Sequence, residues 1–399
     1  MPQCALRIGM AALAVLLALA PASGRADHRP NNEVLVGGAI SLTGRFAEPA
    51  GRQVNAIKMW VDEVNGRGGL LGHKINLMLL DDKSDTQTAV KLYEKLITED
   101  KVDLLLAPYS SGITEAVANI NERYKVPLVA FGASSSTIWE KGRKYIFSIV
   151  AIAEDYQKGA MHLAKQIGVN RIAIIGEDSL FPRQSGAGAK QWADKLGIQV
   201  VLQENYPQKQ TDFTALLQKV KASGAEAVMS NSYFADAAAQ LRQMRELNLN
   251  FKLYSSTVGP GLPNFAEQLG GTAEYVLGFS QWEPIPDVLK LPGMKEFITE
   301  YEKRYNEKPN YHAGATYGAL QVTEAALKKA GSFDNEKLRE ALATIEVTTV
   351  FGHYKVNAKG MNEHEGLTFQ IQDGKRRVVY PEKWGEAKAR LPMPEWNKR

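Results

Sequence analysis

Short, uninterrupted apolar runs alternate with segments of helical period along most of this chain. Runs at 34–41, 75–80, 102–107 and 126–131, rich in Val, Leu and Ile, read as strands, and helical patterns at 51–65, 86–99 and 113–124 separate them. The series restarts with strands at 171–175, 199–203, 227–230 and 251–254, and helices at 187–196, 213–222 and 235–247. Continuous rather than alternating apolar runs mark strands buried on both faces, and strand–helix alternation marks parallel sheets with right-handed crossovers. Two such series predict an α/β fold of two doubly wound parallel-sheet lobes. The tail differs. It carries helices at 293–306, 312–329 and 335–343, a strand-like stretch at 347–356, and a hairpin of 367–372 and 377–380 turned by Asp373-Gly374. No low-complexity linker and no internal repeat interrupts the chain, so it must pass between the lobes several times.

The first residues follow a separate pattern. Arg7 precedes an apolar run from 8 to 20, Pro21 ends it, and small residues follow at Ala22, Gly24 and Ala26. This is the layout of a secretory signal, predicted over 1–26 with cleavage after Ala26, and the run is shorter than the roughly 20 residues a membrane-spanning helix needs. The only Cys, Cys4, lies before the run, so the mature chain has no disulfide, thiolate chemistry or Cys-based metal site. A periplasmic protein without membrane insertion is expected. The whole chain has 399 residues, 44% hydrophobic and 23% charged, with a net charge of +4, two units of which are Arg7 and Arg25. These values fit a globular protein and exclude wholesale disorder, and without a clustered basic face they show no nucleic-acid footprint. The basic run Lys375-Arg376-Arg377 reads as a solvated hairpin edge.

Catalytic motifs are almost absent from the sequence. The chain has no P-loop, no Gly-x-Ser-x-Gly elbow and no pair of His at zinc-ligand spacing. The six His (28, 73, 162, 312, 353 and 364) are scattered and read as surface or turn residues. Asp81-Asp82-Lys83-Ser84-Asp85 lacks the alternation and central Gly of a calcium loop, and reads as a strand end followed by a helix cap at Ser84 or Asp85. No enzyme activity, cofactor or metal is expected. What remains are hydroxyl-rich turns between strand ends and helices. Pro108-Tyr109-Ser110-Ser111-Gly112 exposes backbone N–H groups at the positive end of a helix, with hydroxyls beside them. Phe131-Gly132-Ala133-Ser134-Ser135-Ser136 adds donors at the same strand-end face. Each alone could be an ordinary cap; together they fit the rule that open α/β sheets bind ligands at the carboxyl ends of their strands. The second series offers 178–181 with Phe181, then Asn231-Ser232-Tyr233-Phe234 and Ser255-Ser256-Thr257, although Phe181 and Tyr233 could equally be core.

The run Gly37-Gly38-Ala39-Ile40-Ser41-Leu42-Thr43-Gly44 resembles the opening signature of the leucine/isoleucine/valine-binding family of ABC-transporter solute receptors. Asn65-Gly66-Arg67-Gly68-Gly69-Leu70-Leu71-Gly72, Asp81-Asp82, 108–111 and the helix with Ala315-Thr316-Tyr317 resemble it too. The resemblance spans the mature chain. It implies the type I periplasmic-binding fold, with lobes at 33–150 plus 282–351 and 151–281 plus 352–399 joined by three crossings near 150, 281 and 352. It also implies a monomer that delivers a small solute to membrane permease subunits. By position, a ligand carboxylate falls on Ser111 with Ser110 or Tyr109 beside it, the second contact turn on Gly132, Ala133 and Ser134, and the lobe-two aromatic on Tyr233. The family's acid for a ligand ammonium falls on Thr257, so an α-amino acid needs a substitute such as Asp178 or Glu177. Tyr109, Phe181, Tyr233 and Trp282 suit an aromatic or flat carboxylate equally. A sensor for an amide or urea is the alternative, and a secreted enzyme is a third, disfavoured reading. Replacing Ser111 and Tyr233 together by Ala is expected to weaken binding without large loss of stability. Thr257→Glu is expected to favour ligands bearing an ammonium.

Overall fold

The computed structural model describes residues 32–399, and the expected signal at 1–26 lies outside them. The chain opens with β1 (Glu33–Ile40), α1 (Ala47–Gly66), β2 (Lys74–Asp81), α2 (Thr86–Thr98), β3 (Leu104–Leu105), α3 (Ser111–Tyr124), β4 (Leu128–Ala130) and β5 (Ile146–Ser148). Here β2, β1 and β3 lie side by side in parallel, and β4 pairs in parallel with β5. The second series is α4 (Lys158–Gln166), β6 (Arg171–Glu177), α5 (Leu180–Leu196), β7 (Gln199–Tyr206) and α6 (Thr214–Ala222). It continues through β8 (Ala227–Asn231), α7 (Phe234–Glu246), β9 (Leu253–Ser256), α8 (Asn264–Leu269) and β10 (Leu277–Ser280). The tail supplies α9 (Met294–Tyr305), α10 (Tyr311–Ala330), α11 (Asn335–Thr344), β11 (Val347–Thr349), β12 (Gly352–Tyr354), β13 (Leu367–Gln372) and β14 (Lys375–Tyr380). The second lobe's sheet runs β14-β13-β10-β9-β8-β6-β7, parallel from β10 to β7, with β13 antiparallel to both β10 and β14.

The continuous apolar runs have the expected cause. Along β6, Ile172 and Ile174 enter one core while Ala173 and Ile175 enter another on the opposite face. On β8, Ala227 and Met229 join the first core and Val228 the second. Each large aliphatic side chain so buried contributes about 1.5–3 kcal/mol. The first lobe's core draws in the tail, where α10 packs along α1 and α11 packs on α10.

The chain passes between the lobes at three neighbouring places. Ala151 N donates to Gln281 Oε1 at 2.6 Å, Asn362 Nδ2 to the Ile149 carbonyl at 3.2 Å, and His364 Nε2 lies 2.6 Å from the Gln281 carbonyl. Tyr354 O–H bonds the Leu342 carbonyl and Ser148 N the Gly360 carbonyl, which ties the 352–361 segment to α11 and β5.

Some boundaries moved. The strand expected at 347–356 is a tight hairpin of β11 and β12. The glycine stop after α1 works as expected: Gly69 has φ +87°, and a Cβ there would fall 2.0 Å from the His73 carbonyl oxygen. The cap of α2 is Asp85, which accepts from Thr88 N at 2.8 Å. Helix α5 begins at Leu180 rather than 187, because Pro182 lies in the first turn, where its missing N–H costs nothing. Gly186 and Gly188 weaken the helical signal there. Gly188 is present for contact: a Cβ would sit 2.2 Å from the Glu154 carbonyl oxygen and 2.3 Å from its Cα. Gly188→Ala gains about 1 kcal/mol of helix propensity but overpacks backbone, at about 1–3 kcal/mol. Its melting temperature is therefore expected to fall, and a rise would show that α5 can slide off Glu154.

Candidate ligand-binding cleft

The site grows from the turn between β3 and α3. Ser110 caps α3 by accepting from Ile113 N at 3.3 Å, and its own N–H donates to the Gly132 carbonyl at 3.0 Å. To do both it takes φ 78°, ψ 144°, a conformation costly for a residue with a side chain and concentrated at functional positions. Ser111 Oγ accepts from Ser134 N at 3.0 Å and Ser135 N at 3.2 Å, stitching the two hydroxyl-rich turns together. With its lone pairs so used, the Ser111 proton is left to donate. The first-turn N–H groups of Ser111 and Gly112 have no acceptor within the helix and sit at its positive end.

Two further hydroxyls are oriented from behind. Gln281 Oε1 accepts from Ala151 N, so its amide nitrogen donates to Tyr156 Oη at 2.7 Å. Tyr156 Oη and Ser134 Oγ share a hydrogen bond at 2.8 Å that either can donate, so one of their two protons is left for the cavity. Burial raises the Tyr156 phenol well above its ordinary value, so the ring keeps its proton. Asn310 Oδ1 caps α10 by accepting from His312 N and Ala313 N, which turns its amide nitrogen toward His312 Nδ1 at 3.5 Å. That orientation makes Nδ1 the acceptor and puts the ring proton on Nε2, 3.3 Å from Tyr109 Oη. Tyr109 therefore also has its proton free. Burial, then the positive charges of Arg52 and Arg376, push His312 down to about 3, so it is neutral at physiological pH.

Together these groups line one small cavity between the lobes. Rings line most of the rest. Tyr156 stacks on Phe279 at 3.9 Å and meets Phe181 edge-on at 4.9 Å, and Phe46 lies 4.9 Å from Tyr233 and 5.4 Å from Tyr109. The Phe46–Tyr233 contact closes the cleft between the lobes. Among the described residues no Asp, Glu, Lys or Arg lines this cavity.

Of the expected site residues, the fold brings Tyr109, Ser110, Ser111, Gly132, Ser134, Phe181 and Tyr233 to one cavity. Ala133 is buried in the first lobe's core and is not on the cavity wall. Thr257 does not line it either. Its hydroxyl donates to the Ser232 carbonyl at 2.9 Å and accepts from Ser232 N at 3.1 Å, tying the ends of β8 and β9, and Val258 forms the wall instead. A carboxylate introduced by Thr257→Glu would thus disrupt that tie, and the altered preference expected of it loses its basis. Trp282 is packed away, donating to the Val350 carbonyl at 3.0 Å. Of the two candidate acids, Asp178 pairs with the exposed Arg183 and Glu177 is bonded to Arg45. The pattern missed Tyr156, Gln281, Tyr311 and His312, all on the wall. His312 contradicts the surface reading of the histidines; the one signal was Asn310-Tyr311-His312 at the head of a long, apolar helix. Among the described residues no group of three or more His, Cys, Asp or Glu could hold a metal, and no helix is long and apolar enough to cross a membrane.

A family model described as periplasmic binding protein matches residues 33–376. A Leu/Ile/Val-binding protein homolog 7 of Brucella suis is 27% identical, over 97% of this chain and 99% of its own length. Among solved structures, a branched-chain amino acid substrate-binding protein LivJ of Streptococcus pneumoniae, in complex with isoleucine, superposes with TM-score 0.79 at 22% identity. That match covers 88% of this chain and 100% of the other. A solute-binding protein of an ABC transporter from Rhodopseudomonas palustris, in complex with benzoate, gives 0.77 at 18% identity, covering 91% of this chain and 97% of the other.

Proposed function

The chain belongs to the periplasmic binding protein family, and on that premise we propose that it captures a small carboxylate with an aromatic or similarly flat body and no ammonium group, and hands it to an ABC permease. The observation that carries this reading is the polarity of the wall. Ser111 and Tyr109 accept bonds from behind and keep protons to donate, and the bonded pair of Ser134 and Tyr156 has one more to offer. Donors without a fixed cation suit a carboxylate, which can be held by N–H and O–H groups alone. An α-ammonium would be buried without a partner, a cost of several kcal/mol. The rings of Tyr109, Phe131, Tyr156, Phe181, Tyr233 and Tyr311 would sandwich a flat body. That the Rhodopseudomonas palustris protein of the same fold holds benzoate is consistent with this choice.

The carboxylate would meet the first lobe at Ser110, Ser111 and Ser134, and closure would add Phe181 and Tyr233 from the second, shifting the population by contacts made only when closed. For this movement we draw the lobes as 33–150 with 282–361 and 151–281 with 362–399. A boundary after 351 would split the β11–β12 hairpin.

A thermal-shift panel of benzoate-type acids, the corresponding benzamides, leucine and 4-methyl-2-oxopentanoate tests the reading. At 100-fold above Kd a ligand adds about 2.7 kcal/mol, a shift of a few degrees. The aromatic acids are expected to raise the melting temperature. A rise with leucine alone would overturn the exclusion of the ammonium, and a rise with the amides alone would favour a sensor of neutral solutes.

A further inference from the structure

Outside the cavity, the most heavily committed charges in the cleft belong to one pair. Arg45, in the loop between β1 and α1, donates from both terminal nitrogens to both oxygens of Glu177 at 2.6 Å each. Glu177 ends β6 on the other lobe, so the pair spans the cleft. Its side chain is 2% exposed and that of Arg45 is 23% exposed. Ser179 Oγ donates a third bond to Glu177, at 2.6 Å. The guanidinium carbon lies 4.4 Å from the Phe46 ring centre and 5.2 Å from that of Tyr233, and Tyr233 is a cavity wall. A second buried acid, Asp236, feels both Arg45 and Glu177 while bonded by Tyr206 O–H at 3.0 Å. The second lobe thus carries an acidic pocket beside the cavity, and a cation from the first lobe fills it.

We propose that Arg45 determines specificity by occupying, as the protein's own cation, the acidic pocket around Glu177 that a ligand ammonium would otherwise use. The inference rests on the ammonium-free reading of the ligand and supplies its cause. A solute bringing its own cation would have to displace a bidentate, mostly buried guanidinium, and the pair itself forms only when the lobes meet. The cleft closes fully on an acid that leaves Glu177 to Arg45. The same bonds latch the closed form, so losing them weakens the hold on any ligand whose affinity depends on closure.

The test uses two acid pairs differing only in the ammonium, 3-phenylpropionate with phenylalanine and 4-methylpentanoate with leucine. Affinities are measured by calorimetry and by melting shift on the mature protein and on Arg45→Met, which keeps the stem's length without its charge. In the native protein each ammonium-free acid is expected to bind more tightly than its partner. In Arg45→Met the ratio is expected to move toward the amino acid by at least about tenfold, the value of one charge-assisted bond. Arg45→Met combined with Glu177→Gln removes both the blocker and the acid, so the ratio should return toward the native value, an outcome that loss of a merely structural contact would not produce. If the native protein prefers the acids but Arg45→Met leaves the ratio unchanged, the role of Arg45 is overturned and the ligand reading stands. If the native protein prefers the amino acids, both fall. Should the native protein bind neither member, Arg45→Met must still gain a melting shift with phenylalanine or leucine, and its absence overturns the proposal.

Discussion

Ser111→Ala is expected to lose both ligand affinity and stability, the second against the expectation that replacing Ser111 and Tyr233 together costs no large loss of stability. Ser111 Oγ is the acceptor for two backbone N–H groups, Ser134 at 3.0 Å and Ser135 at 3.2 Å. Alanine strands both. Ser135 is fully buried and Ser134 5% exposed, so water reaches them poorly. An orphaned buried donor costs about 1–3 kcal/mol, and the pair together roughly 2–6 kcal/mol. A fall in melting temperature of several degrees should follow. Binding suffers as well, through the lost O–H to a carboxylate, worth about 1.5–3 kcal/mol or ten- to a hundredfold in Kd. The neighbouring Ser110→Ala is the comparison. It removes a single cap bond to Ile113 N and should cost about 1 kcal/mol. Equal stability losses in the two variants would show that the Ser134 and Ser135 N–H groups find other partners once the hydroxyl is gone.

The legible parts of the molecule are those decided over short stretches of chain. Strands β1, β6 and β8 announce themselves because both faces are buried, so no polar residue interrupts the run. The turns bearing Ser111 and Ser134 stand out because hydroxyls cluster where a strand gives way to a helix. Thr257 sits in an equally polar turn, yet its side chain turns back on Ser232, a choice made by the spacing of β8 and β9 rather than by local residues. His312 is hidden differently. It opens an apolar helix, and only contact with Tyr109, 203 residues away, gives it a role. Arg45 and Glu177 are ordinary charged residues until the lobes bring together positions 132 residues apart. Spacing along one chain reads the rim of each lobe, whereas what faces what across the cleft is set by closure.

The second large effect is a pH dependence of stability centred on His312. Burial, with help from Arg52 and Arg376, holds the folded imidazole at about 3, against 6.5 in the unfolded chain. A depressed histidine contributes stability that is complete above 6.5 and lost as pH falls, because the unfolded state then binds the proton that the core refuses. Each unit below 6.5 costs about 1.4 kcal/mol, so pH 5 removes about 2 kcal/mol. Asp236 acts with the opposite sign. Burial first, and Glu177 next, raise it to about 6 from 3.8, so its contribution is present below 3.8 and lost as pH rises through 6. The two oppose each other between about 4 and 6, while between 6 and 6.5 the histidine acts alone. Urea unfolding of the native protein, His312→Gln and Asp236→Asn at pH 7 and pH 5 separates them. His312→Gln should lose less stability on acidification than the native protein, by about 2 kcal/mol, and Asp236→Asn should lose more. The reading is the change between the two pH values, since both substitutions also alter packing at pH 7. If His312→Gln and the native protein acidify in parallel, the imidazole is either charged in the fold or reached by water, and the donor role given to Tyr109 fails with it.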